Sequence, residues 1–118
     1  MKDLTSTPET TATPSVKQIA LAKADYWSII EKLMPQQGCI EVQQDAPGKE
    51  HAWHQHPTDE TLVVLEGQAR FYWEGGEQIC GAGAVISLPA GVRHGSVALD
   101  EGVRYLISFH AVELADHG

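Results

Sequence analysis

The sequence predicts an all-β barrel or jelly roll, and three observations lead there. Short segments alternate apolar with polar residues, as Ile40 and Val42 do with Glu41 and Gln43, and turns bearing Gly or Pro separate them. The run Glu60 to Leu65 is apolar on both faces, which a strand inside a two-layer β architecture requires. The chain has 118 residues and no internal repeat, which suits one domain and one barrel.

Residues 1 to 17 are rich in Thr, Pro and Ser and offer little apolar surface, so a flexible N-terminal tail is expected. The barrel domain is expected over 18–113, with 114–118 as a C-terminal tail. Tyr26, Ile29, Ile30 and Leu33 fall at helical spacing behind Asp25, a candidate N-cap, and Pro35 stops the run. A short helix covering the end of the barrel is expected; a strand through Trp27 to Ile30 is the alternative. Beyond Gly38, strands are expected near 40–43, 51–55, 60–65, 69–73, 78–80, 84–88, 93–99 and 102–112. Glu74-Gly75-Gly76-Glu77 is a hairpin signal, and Pro89-Ala90-Gly91 is a second turn.

The chemistry concentrates between Gly48 and Gly67. His54 and His56 are two apart, so on a strand their imidazoles share a face. Pro57-Thr58-Asp59 reads as a turn, which returns Glu60 beside them. His94, about one hairpin further along, is the candidate for a fourth position. Three imidazoles and a carboxylate make a plausible set of ligands for a divalent metal. His51 falls on the opposite strand face if the strand is regular. It is expected at the rim, with a fifth ligand or a proton shuttle as the alternative. His110 is expected to be structural and His117 solvated.

These residues resemble the two motifs of the cupin family. Gly48, His54, His56, Glu60 and Gly67 fit the first, and Gly83, Pro89, Gly91 and His94 fit the second. Ala98 stands where the second motif has Asn. The resemblance implies a double-stranded β-helix, or jelly-roll barrel. It also implies one bound divalent transition metal (Fe, Mn, Ni, Co or Zn) and a homodimer in which an N-terminal segment adds to the partner's sheet. Leu62, Val64, Ser96 and Ala98 are expected to point into the pocket with the ligands. Of the last strand's two faces, Val103-Tyr105-Ile107-Phe109 is the expected lining. Ser96, Tyr or Arg side chains are left to orient a ligand.

Sixteen acidic residues against eight basic ones give a formal charge of -8, which argues against nucleic acid and anionic membrane as partners. No apolar run approaches a membrane span, and the N-terminus lacks a secretory pattern. Cys39 and Cys80 form no close pair and are expected as free thiols in the cytoplasm. Two function classes follow. One is a metalloenzyme of dioxygenase, isomerase or lyase type acting on a small oxygen-rich compound, with Glu60 or His51 as acid–base candidates. The other is a non-catalytic, metal-dependent protein that binds or senses a small ligand. The intact set of four ligands favours the enzyme.

Overall fold

The computed structural model describes residues 12–115. Among them, seven strands follow one another as β1 (Ser15–Gln18), β2 (Glu41–Asp45), β3 (Glu50–His54), β4 (Glu60–Trp73), β5 (Gly76–Cys80), β6 (Ala84–Leu88) and β7 (His94–Ser108). One helix, α1 (Tyr26–Leu33), lies between β1 and β2 after a short 3-10 turn at Lys23–Asp25. All pairings are antiparallel.

Two long strands hold the barrel together. The sequence suggests breaks near Gly67 and Gly102, but β4 and β7 each run through their glycine. Gly67 lies opposite Val103 and has φ 78°, while Gly102 has φ 73°. Positive φ and the absence of a Cβ let both strands bend at one level without ending. The first half of β4 and the second half of β7 form one sheet, in the order β1-β6-β4-β7-β2. Their other halves continue into a second sheet, flanked by β5 and β3. This is the jelly-roll barrel that the turn pattern predicts.

Leu62, Val64, Phe71, Ile86, Leu88 and Tyr105 fill the space between the sheets. Val63, Leu65, Val85 and Leu106 point the other way and are covered by Ile29 and Leu33 of α1. The helix therefore packs across the outer face of the first sheet rather than over the end of the barrel. That face is apolar in three neighbouring strands and needs a cover more than the barrel's mouth does. Asp25 also acts differently from a simple cap: its carboxylate accepts the Ala22 amide at 3.0 Å and makes no bond to the first turn of α1.

The edges of the domain lie further out than composition suggests. Of the expected tail, 1–11 lies outside the described residues, while Ser15–Lys17 belong to β1. That strand satisfies the free edge of β6, and polar side chains suffice because the backbone makes the bonds. At the other end Leu114 is buried with Ile29 and Leu33, so an anchored segment replaces part of the expected C-terminal tail. His117 lies outside the described residues. His110 sits just past β7, where its carbonyl accepts the Thr61 hydroxyl at 2.9 Å. Cys39 is exposed and Cys80 buried, both unpaired.

Candidate metal centre

His54 ends β3, His94 begins β7, and the two are partners across the strands. His56 lies in the loop after β3. That loop is held by the Pro89–Gly91 turn: the Gly91 amide donates to the His56 carbonyl at 2.8 Å, and the Ala90 amide donates to Asp59 Oδ1 at 2.8 Å. The turn residues of both motifs thus brace each other. His54, His56 and His94 come together so that their ligand atoms lie within 4.8 Å of one another.

The tautomers suit metal binding. His54 Nδ1 lies 2.6 Å from the Ala52 carbonyl, and His94 Nδ1 lies 3.0 Å from that of Val92. A carbonyl only accepts, so each Nδ1 carries the proton and each Nε2 keeps a free lone pair. Burial lowers the pKa of His94, which favours the neutral form that ligation requires. Glu60 begins β4, and its Oε2 lies 3.5 Å from His56 Nδ1. Burial raises its pKa; His56 and His54 oppose the rise. Among the described residues, the three histidines form the tight group and Glu60 stands beside it.

The cluster opens into a cavity of about 200 Å³. Its wall includes Leu62, Phe71, Leu88, Ile107 and Phe109, with Ser96, Glu41 and Gln43 as polar members. Of the last strand's two faces, the aromatic one is the lining, with Tyr105, Ile107 and Phe109 in the wall. Among the described residues, no arginine or lysine contributes to this wall. Arg70 pairs with Glu77, Arg104 with Gln44 and Glu66, and Arg93 lies over Trp53, so ligand orientation by Arg is not what the fold provides. Ala98 is buried in the core; its backbone N–H and C=O bond Lys49 and Gly48. An amide side chain there would compete with packing.

His51 departs from the sequence expectation. It is not on the opposite face: it lines the same cavity as His54. His51 lies across from Ser96 and His54 across from His94, so three steps along β3 match two along β7. This β-bulge absorbs one residue and turns both imidazoles the same way. Alternation alone cannot reveal such an insertion. Trp53, next to His54, faces away from the cavity and meets Tyr72 edge-on at 4.8 Å on the outer surface of the second sheet.

The Cupin domain family matches residues 41–109, more than half of the chain. The chain belongs to the cupin family. No curated protein matches it significantly. Among solved structures, this cupin resembles a DUF861-family protein of Thermotoga maritima at 18% identity and TM-score 0.60. That match covers 82% of this chain and 99% of the other. A conserved protein of unknown function from Streptococcus pyogenes aligns at 25% identity and TM-score 0.55, over 61% of this chain and 63% of that one. Oxalate decarboxylase of Bacillus subtilis, described with Mn(II) centres, aligns at 26% identity and TM-score 0.53. There the match covers 63% of this cupin but only 21% of the decarboxylase. No helix among the described residues is long and apolar enough to cross a membrane.

Proposed function

We propose that this cupin binds one divalent transition metal through His54, His56 and His94, with Glu60 as the fourth ligand, and that it is a metalloenzyme acting on a small oxygen-bearing compound. The observation that carries the reading is the convergence of three imidazoles within 4.8 Å at the wall of a cavity. Two of them are already held in the ligating tautomer. A divalent ion there supplies Lewis acidity toward an oxygen donor and fixes its position.

The chain's own groups describe what the cavity accepts. Leu62, Phe71, Ile107 and Phe109 favour a compound with an apolar portion, and Ser96 offers a hydroxyl to a second polar atom. With Glu41 and Glu60 in the wall and, among the described residues, no arginine or lysine there, a substrate carrying several negative charges is disfavoured. Reaction of lyase type is supported by the likeness to oxalate decarboxylase, although the present chain spans about a fifth of that protein. The exposed apolar side chains of Trp53 and Ile79 support a homodimer.

Metal analysis tests the reading. Protein purified without an affinity tag and loaded with Mn²⁺, Fe²⁺ or Zn²⁺ is expected to hold one ion per chain. His54→Ala and His94→Ala each lower affinity at least about 10-fold. Unchanged stoichiometry and affinity in both variants would overturn the site. Turnover of a panel of small hydroxy acids and ketones by the loaded protein separates the enzyme from a non-catalytic binder.

A further inference from the structure

Outside the histidine cluster, three polar members of the cavity wall, Gln43, His51 and Tyr105, converge on one carboxylate behind it. Asp45, at the end of β2, is only 4% exposed yet carries a carboxylate. Its Oδ1 accepts from Gln43 Nε2 at 2.9 Å, and its Oδ2 accepts from the Tyr105 hydroxyl at 3.0 Å. The same Oδ2 lies 3.0 Å from His51 Nε2. A buried carboxylate with three polar partners is well compensated.

Donor accounting fixes the imidazole. An ionised carboxylate only accepts, so His51 Nε2 must carry the proton that points at Asp45. In the neutral imidazole Nδ1 then carries the lone pair. Among the described residues no group bonds to it, and the His51 side chain is 33% exposed, lining the cavity. Burial and the neighbouring Asp45 push the Tyr105 phenol up, which keeps it a donor to Asp45 rather than a competing base. An imidazole oriented through one nitrogen by a buried carboxylate, with the other facing a ligand space, is the arrangement that general acid–base chemistry uses.

We infer that His51 is the proton acceptor of this cavity and that Asp45 is its positioning residue. The inference rests on the proposed metal site, which would hold the molecule that loses the proton. In the step, an O–H or C–H bond of the bound molecule breaks and its electron pair stays with that molecule. The proton forms an N–H bond at His51 Nδ1. The imidazolium keeps its Nε2–H on Asp45, and return of the proton completes the cycle with no oxidant or reductant consumed. The β-bulge in β3 brings the base to the same face as the metal ligands.

Nitrogen-15 NMR of the histidine rings in Zn²⁺-loaded protein tests this, with His51→Gln to assign the signals and acetohydroxamic acid as a small oxygen acid that chelates zinc. Zinc is expected to shift the ring nitrogens of His54, His56 and His94, and their failure to shift overturns the metal reading. Independently, His51 is expected to show a protonated Nε2 and a bare Nδ1. Adding acetohydroxamic acid is expected to protonate Nδ1, and Asp45→Asn weakens its binding about 10-fold. A His51 protonated at Nδ1 beforehand, or a bare Nδ1 with the probe bound, overturns the inference. Should Asp45→Asn fail to fold, the two wild-type spectra still decide.

Discussion

Gly67 and the Gly102 carbonyl lie in contact where the two long strands bend, and a Cβ on Gly67 would run into that oxygen. Their contact lets β4 and β7 pass together from one sheet to the other. Because the obstacle is backbone, no side chain can swing aside. Gly67→Ala also places a residue with a Cβ at φ 78°. A loss of about 2–3 kcal/mol is expected in urea unfolding, together with weaker metal binding. A midpoint within error of wild type would remove this account of the corner.

The helix is held by packing more than by its own propensity, since eight residues rarely form a stable helix in water. Leu33 is fully buried among Val63, Val85 and Leu106, and its carbonyl accepts the Ser108 hydroxyl at 2.8 Å. Leu33→Ala is expected to cost about 2–5 kcal/mol by equilibrium unfolding. An exposed substitution on the same helix, Trp27→Ala, should change stability far less, since that side chain is 67% exposed.

The site makes opposite demands on its two buried acid–base members. His94 has its pKa lowered by burial, so its stabilising contribution is present above the unfolded value near 6.5 and is lost as pH falls through the lower folded value. Glu60 has its pKa raised by burial, so its contribution is present below 4.5 and is lost as pH rises through the higher folded value. Glu60→Gln is therefore expected to stabilise the metal-free protein at pH 7 while weakening metal affinity. Calorimetric melts with and without Zn²⁺ check both halves. Equal destabilisation in the two states would contradict the electrostatic reading.

Thiol chemistry separates the two cysteines. Burial pushes the Cys80 thiol up to about 11, and the side chain is 1% exposed, whereas Cys39 is exposed. Iodoacetamide at pH 8 is expected to label one thiol in the native protein and two after unfolding, as counted by mass spectrometry. Rapid native labelling of Cys80 would show that the core opens readily.

Most of the architecture can be read from local pattern. Turn residues at Pro57–Asp59, Glu74–Glu77 and Pro89–Gly91 delimit strands because their backbone demands are met locally. Period-two alternation places Tyr105, Ile107 and Phe109 on one face, and the fold makes that face the interior one. Where glycine is found, however, its local signal is ambiguous. Gly67 and Gly102 look like strand ends, yet each marks a bend inside a strand where a backbone carbonyl, of Gly102 and of Asp45 respectively, comes too close for a Cβ.

The order of the chain by itself determined an all-β cup with His54, His56 and Glu60 near one another, since spacing and turn chemistry act over a few residues, and the motif resemblance added His94. Only the tertiary structure decided that His51 joins their face and that Asp45 holds it. That outcome depends on the partner strand: three residues of β3 must match two of β7, and no pattern within β3 records how its neighbour is registered. The same holds for α1, whose apolar stripe is visible locally but whose docking place is set by the sheet face left uncovered.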